Sequence, residues 1–104
     1  MKLVSLQSPY AGDVERNITY ARRALYDSLQ RGEAPFASHL LYTQVLVDDD
    51  PNDRWRAMHC DHAFLAKCDL VATYRDLGIS HGMDLALEIA LAHNIPIELR
   101  RIGT

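Results

Sequence analysis

The stretch that decides the fold is Leu3-Val4-Ser5-Leu6-Gln7-Ser8-Pro9-Tyr10-Ala11-Gly12-Asp13. An apolar run breaks at Ser8-Pro9, passes through a glycine and leads into apolar residues at helical spacing. This order predicts a buried strand over residues 2–6, a tight turn, and a helix over about residues 14–31 that Asp13 caps. Open parallel sheets bind ligands at the carboxyl ends of their strands, and helix N-termini there attract anions. The stretch therefore predicts one wall of a small-molecule site for a phosphate or a sugar.

Apolar segments and turn signals alternate along the rest of the chain. They predict a second strand over residues 34–41 that ends near Ser38-His39, a helix over 53–67 after an acidic loop, and a strand over 69–74. A loop over 76–82, a helix over 83–93 and a strand over 95–99 follow, whereas residues 40–47 fit either a strand or a helix. Because strands alternate with helices, we predict a single α/β domain over residues 1–104 with a mostly parallel sheet.

Composition excludes several classes of function. The chain has 104 residues and a formal net charge of −3, which argues against general nucleic-acid binding. It has no apolar run of about 20 residues, so we expect no membrane span, and its start does not resemble a signal peptide. The two cysteines, Cys60 and Cys68, fit free thiols in a reducing compartment, so we expect a cytoplasmic protein. No phosphate loop or dinucleotide glycine motif is present, and we expect no cofactor.

The turn after the first predicted strand supplies the first group of candidate ligand-binding residues. This group consists of Ser8, Tyr10, Gly12, Asp13 and Asn17. Gly12 permits a close backbone turn, and the two hydroxyl groups can donate hydrogen bonds to a ligand. The alternative is a plain strand–turn–helix connection in which Asp13 is only a helix cap.

A second loop with the same character precedes the last predicted helix. Its candidate ligand-binding residues are Ser80, His81, Gly82 and Met83. A serine and glycines just before a helix N-terminus favour an anionic ligand, although an ordinary loop capped by the serine has the same pattern. His39 follows the second predicted strand and can reach the same edge of the sheet.

Three carboxylates are candidates for catalysis. Asp61 shares a helix face with Leu65 and Cys68, and a carboxylate on a sheet-facing surface is costly unless it is paired or functional. Asp84 and Glu88 lie one turn apart and can share acid–base work if they are buried near a substrate. The alternatives are an exposed aspartate at 61 and a solvated acidic face at 84 and 88.

The run His59-Cys60-Asp61-His62 contains residue types that bind metals. Cys60 points away from the direction that the two histidines share on a helix, and no second ligand pair stands at zinc spacing. We therefore predict no metal site.

An ordered set of motifs resembles the nucleoside 2-deoxyribosyltransferase-like superfamily. The motifs are Ser8-Pro9-Tyr10-Ala11-Gly12, the unit Asp61-x7-Asp69 with Cys68, and Ser80-x-Gly82-Met83. The chain is most similar to a small group of uncharacterised bacterial and phage proteins within it, which share the stretch Gly32–Gln44 and the Asp-Asp-Asp-Pro loop of residues 48–51. The resemblance covers nearly the whole chain.

The resemblance implies a flavodoxin- or Rossmann-like three-layer sandwich with a mostly parallel sheet of four or five strands. It also implies a homodimer or higher homo-oligomer with sites near subunit boundaries, and a nucleoside or nucleoside monophosphate as the small-molecule partner. Enzymes of this kind cleave the N-glycosidic bond by attack of a glutamate on the anomeric carbon. By resemblance, Asp61 holds the sugar, Tyr10 and Gly12 lie near the base or phosphate, and Ser80 and Gly82 form a second phosphate loop.

One departure bears on catalysis. The family's glutamate stands six residues after the serine equivalent to Ser80, and that position is Ala86. Glu88 lies about 200° away on an α-helix, and Asp84 is no better placed. Our leading hypothesis is a nucleotide-binding domain that cleaves or transfers the N-glycosidic bond of a (deoxy)nucleoside monophosphate if Glu88 or Asp84 replaces this glutamate. The alternatives are a non-catalytic binder of a nucleotide or nucleotide-derived signal, as in phage–host conflict, and a structural α/β interaction domain.

Overall fold

The computed structural model describes residues 1–103 as four strands and four α-helices. The strands are β1 (Leu3–Gln7), β2 (Ala34–Phe36), β3 (Leu70–Tyr74) and β4 (Ile97–Arg100). The helices are α1 (Val14–Gln30), α2 (Ser38–Leu41), α3 (Pro51–Leu65) and α4 (His81–Ala92), with a 3₁₀ turn over Tyr42–Gln44.

The four strands form one parallel sheet in the order β2-β1-β3-β4. β1 is central and pairs in parallel with β2 on one side and with β3 on the other, so that Gln7 lies beside Thr73. After β1 the chain adds β2 on one side of it, and then β3 and β4 on the other side, so the topological switch point lies between β1 and β3. In such sheets this switch point opens a crevice at the carboxyl ends of the two strands.

Helices cover both faces of the sheet. Tyr20 and Ala24 of α1 pack with side chains of β1 and β3, including Leu6 and Tyr74. On the other face, Leu65 of α3 and residues of α4 pack around Val71. The prediction of a three-layer α/β sandwich with a parallel sheet is confirmed.

Capping side chains explain where the helices begin. Asp13 accepts a hydrogen bond from the Arg16 N–H and starts α1 at the predicted residue. Asp50 accepts bonds from the N–H groups of residues 52 and 53, and Pro51 fits the first helical position, so α3 begins two residues earlier than predicted. Ser80 caps α4, which begins at residue 81 and shortens the predicted loop over 76–82.

The prediction of a strand over residues 34–41 is wrong after Phe36. Residues 38–44 form α2 and the 3₁₀ turn. Two side chains bond back to carbonyls of this segment: Thr43 Oγ1 donates to the His39 carbonyl at 2.6 Å, and Gln44 Nε2 donates to the Leu40 carbonyl at 2.8 Å. Both are i to i−4 contacts, which the chain makes only in a helical turn.

A buried ion-pair network closes the α1 side of the sheet. The guanidinium of Arg100 donates to both carboxylate oxygens of Glu33, at 2.8 and 2.7 Å, and to the Tyr74 hydroxyl at 3.0 Å. The Tyr74 hydroxyl donates to Asp27 of α1 at 2.7 Å. Burial raises the pKa of Tyr74 to about 12. The bonds from Arg100 hold the pKa of Glu33 below its ordinary value, so both groups keep their usual charge at neutral pH.

Candidate functional site

The carboxyl end of β1 carries a buried polar side chain that sequence reasoning missed. Gln7 is 4% exposed, and its amide nitrogen donates to Ser5 Oγ at 2.9 Å. The same nitrogen lies 3.2 Å from Oδ2 of Asp61 on α3. Gln7 therefore connects the central strand to a carboxylate of the helix above it.

Asp61 is a buried carboxylate with spare capacity to accept hydrogen bonds. It is 7% exposed, so of the two alternatives that the sequence left open for this residue the structure supports the buried one and contradicts the exposed one. Within residues 1–103, no cation lies within ion-pair distance of it, and the Gln7 amide is its side-chain donor. A carboxylate offers about four lone-pair sites, so most of its acceptor capacity is open to donors such as sugar hydroxyls.

An aromatic pair lies beside this carboxylate. The rings of Tyr10, in the loop after β1, and His39, in the first turn of α2, stack with centroids 5.1 Å apart and planes 24° from parallel. Burial lowers the pKa of His39, and the nearby charges of Asp61 and Asp48 offset only part of this effect. His39 is therefore neutral at neutral pH, with one ring nitrogen that donates and one that accepts.

The loop that carries Tyr10 is fixed by Asn17. The Asn17 side chain is 1% exposed and donates to the carbonyls of Tyr10 at 2.9 Å and Ala11 at 3.1 Å. Gly12 has φ +99°, a conformation that L side chains rarely adopt, so the turn depends on glycine here. Ser8 is 1% exposed and Asp13 is exposed at the start of α1.

The second predicted loop is ordered by a serine cap. Ser80 Oγ accepts from the Met83 N–H at 3.2 Å, and the Ser80 N–H donates to the Met83 sulfur at 3.3 Å. Met83 is buried, whereas His81 and Gly82 are exposed in the first turn of α4. The first N–H groups of a helix have no partner within it, so residues 81 and 82 present donors at this end of α4.

The structure separates the other two candidate carboxylates from Asp61. Asp84 and Glu88 are both exposed on α4. The sheet-facing side of this helix carries Met83, Ala86 and Ala90 instead. Ala86 is fully buried in the apolar cluster around Val71, so the position where the resemblance predicts a glutamate belongs to the core.

The side chains of His59, Cys60, Asp61 and His62 on α3 do not come together around one point. Trp55 lies against His59 with ring centroids 4.0 Å apart and ring planes tilted by 37°, and both side chains are exposed. Residues 1–103 contain no group of three or more histidine, cysteine, aspartate or glutamate side chains that could hold a metal ion.

Two open surface grooves lie along α1, away from Asp61. Arg23 and Thr19 line both of them, and one reaches Asp76 after β3. Charged side chains on the exposed side of α1 line them together with apolar groups such as Tyr26, Leu77 and Ile102. The buried polar groups that meet at the carboxyl ends of β1 and β3 therefore define a different place from these grooves.

The sheet order and the placement of polar groups at the switch point define a doubly wound α/β protein with the nucleoside 2-deoxyribosyltransferase-like fold. The chain belongs to the family described as Domain of unknown function (DUF7768), which matches residues 2–100. It matches no curated protein.

Two of the solved structures that share this fold come from nucleoside-processing proteins. One is a 2-deoxyribosyltransferase from Bacillus psychrosaccharolyticus, with a TM-score of 0.76 and 14% identity over 95% of this chain and 72% of that one. The other is a CMP N-glycosidase from Clostridium botulinum, with a TM-score of 0.61 and 16% identity over 96% of this chain and 71% of that one. At these identities the likeness concerns the fold.

Among residues 1–103, no helix has both the length and the apolar character needed to cross a bilayer.

Proposed function

We propose that this domain binds a nucleoside or nucleoside monophosphate at the carboxyl ends of β1 and β3. The observation that carries the proposal is Asp61, a buried carboxylate held by one neutral amide beside the Tyr10–His39 ring pair. Burying a carboxylate without a cation is costly, and such sites are kept where the charge serves a ligand. The family resemblance and the shared fold of two nucleoside-processing proteins support the choice of ligand.

Each part of the proposed ligand has a partner. Sugar hydroxyls donate to Asp61, and the base lies against the ring of Tyr10. The Asn17 side chain holds Tyr10 in place by donating to the Tyr10 backbone carbonyl. The phosphate lies at the N-terminal end of α4, where the N–H groups of His81 and Gly82 are free for an anion.

Cleavage of the N-glycosidic bond is the second candidate function. What favours it is that the Asp61 carboxylate acts on His39, where its charge partly offsets the lowering of the imidazole pKa by burial. A carboxylate and a neutral imidazole near one another are groups that can act as general bases toward a water molecule. Covalent attack by Glu88 or Asp84 requires a shift of α4, because both residues are exposed and Ala86 occupies the inward position. Binding without a covalent intermediate is therefore the primary proposal.

A panel of ribo- and deoxyribonucleosides and their 5′-monophosphates separates the two candidates. Thermal shift reports binding, and release of free base reports cleavage. The binding proposal expects a shift with at least one compound and no base release. Base release that Glu88→Gln or Asp84→Asn abolishes would establish the covalent enzyme instead, and base release that only Asp61→Asn abolishes would establish hydrolysis. No response to any compound contradicts both candidates and favours a structural interaction domain.

We also propose that the chain forms a homodimer through the outer surface of α2 and α3. Large apolar side chains are exposed there, at Leu41, Val45 and Phe64. Phe64 also stacks on Phe36 of the edge strand with centroids 4.3 Å apart, which makes the surface continuous with the sheet. Exposed apolar patches of this kind mark interaction sites. Light scattering should show a dimer that Phe64→Glu dissociates, and a monomeric wild-type chain would contradict the proposal.

A further inference from the structure

Two polar side chains at the carboxyl end of β3 lack hydrogen-bond partners. Among the side chains described in residues 1–103, the buried polar atoms without a partner are Thr73 Oγ1 and Arg75 Nε. Thr73 is fully buried. No carboxylate of the described chain forms an ion pair with Arg75. Folded proteins pair nearly all of their buried polar atoms, so two such atoms two residues apart need an explanation.

Both side chains lie on the α4 side of the sheet. Tyr74 and Asp76 contact α1 on the opposite side, through Asp27 and Tyr20 respectively. The backbone continues the ladder past the strand, since the Arg75 N–H donates to the Arg100 carbonyl at 3.0 Å. Side chains alternate along a strand, so Thr73 and Arg75 share the other side. That side also holds Gln7, the register partner of Thr73, and the N-terminal end of α4.

We infer that Thr73 and Arg75 form an anion-binding subsite that receives the phosphoryl group of a nucleoside monophosphate. The guanidinium offers a fork of N–H donors suited to phosphate, and the hydroxyl adds one more donor. The free N–H groups at the start of α4 complete the set. This inference rests on the proposed function, because the nucleoside part is held by the Asp61 side of the same sheet edge.

The subsite predicts that this domain prefers nucleoside monophosphates over nucleosides. A charge-assisted bond from an arginine to a phosphate changes affinity by about tenfold to 100-fold. The unpartnered Thr73 hydroxyl does not stabilise the ligand-free protein. Replacing Thr73 should therefore weaken monophosphate binding without lowering the stability of the fold.

Isothermal titration with matched pairs of nucleosides and 5′-monophosphates, and with inorganic phosphate, tests the inference. Arg75→Met should weaken monophosphate binding about tenfold or more and leave nucleoside binding within about twofold. Thr73→Val should weaken monophosphate binding without lowering the unfolding temperature, and Thr73→Ser should restore it. Arg101→Met is the matched control: it removes one positive charge from the neighbouring strand end, where the side chain is exposed.

The outcomes distinguish the inference from the proposed function. If nucleosides and monophosphates bind wild type equally, or if Arg75→Met and Arg101→Met have the same effect, the subsite is refuted while nucleoside binding stands. If no nucleoside or monophosphate binds, the proposed function fails. In that case inorganic phosphate that binds wild type but not Arg75→Met still supports an anion subsite, and its failure to bind refutes the subsite as well.

Discussion

Replacing Ala86 with glutamate puts a carboxylate where the sequence resemblance predicts a nucleophile, and we predict that it destabilises the domain without creating an enzyme. Ala86 is fully buried and packs with Leu65, Val71, Ala90 and Ile95. A glutamate there adds a methylene and a carboxyl group to a packed apolar cluster, and it buries a charge with no cation nearby. The side chain has no room in this core.

The expected cost comes from two sources. Overpacking a core typically costs about 1–3 kcal/mol, and an unpaired buried polar group adds about 1–3 kcal/mol. Total stabilities are about 5–15 kcal/mol, so Ala86→Glu removes a large part of the free energy of unfolding. At about 4–8 °C per kcal/mol for a domain of roughly this size, a cost of about 3 kcal/mol lowers the unfolding temperature by at least about 12 °C.

Thermal unfolding measures the effect, and Ala92→Glu is the matched control. Ala92 lies on the same helix and is exposed, so the same substitution there should change stability by less than about 0.5 kcal/mol. Burial raises the pKa of a glutamate, so the Ala86→Glu defect should shrink below about pH 4, where the carboxyl is neutral in both states. An Ala86→Glu protein as stable as wild type, or one that releases base, would refute the placement of this residue in the core.

Two further predictions concern the scaffold of the site. Glu33→Gln breaks the pair with Arg100, whose side chain is 2% exposed, and should cost about 3 kcal/mol in chemical denaturation, whereas Asp48→Asn, in an exposed pair, should cost under about 1 kcal/mol. The pKa of Glu33 is lowered in the folded protein, so the ionised carboxylate stabilises the fold above pH 4.5, its ordinary pKa, and this stabilisation is lost as the pH falls. The difference in unfolding free energy between Glu33→Gln and wild type should therefore disappear in acid. A difference that is constant with pH would contradict this. Gly12→Ala should cost about 1–3 kcal/mol because of the φ of +99°, whereas Gly82→Ala, whose Cβ meets nothing nearer than 4.0 Å, should not destabilise α4. Equal costs at the two glycines would exclude backbone strain as the cause.

Sequence patterns predicted the order of elements and the parallel sheet because strands and long helices have distinct periods. The segment after Phe36 was predicted wrongly as a strand, because Ser38-His39-Leu40-Leu41 is apolar enough for a strand and too short to show helical spacing. Trp55 is an apolar residue of α3 that is exposed. Apolar residues on an outer surface follow from tertiary context, which the local sequence does not encode.

The candidate site was predicted in part. The sequence left Asp61 open between a sheet-facing and an exposed position, and the structure shows that it is buried beside Leu65 on one helix face. Gln7, Thr73 and Arg75 were missed because each stands in or beside a strand that is buried on both sides, where the sequence does not show which face a helix will cover. The roles of Asp84 and Glu88, like those of the two loops, stay predictions.

The most direct test of the central claim is the affinity of wild type and Asp61→Asn for the compound that gives the largest thermal shift in the nucleoside and nucleotide panel. Asparagine keeps an acceptor for the Gln7 amide but lacks the charge, so we predict a folded protein that binds about tenfold to 100-fold more weakly. Asp49→Asn, an exposed change of the same kind, should leave affinity unchanged. Equal affinities for wild type and Asp61→Asn would contradict the account.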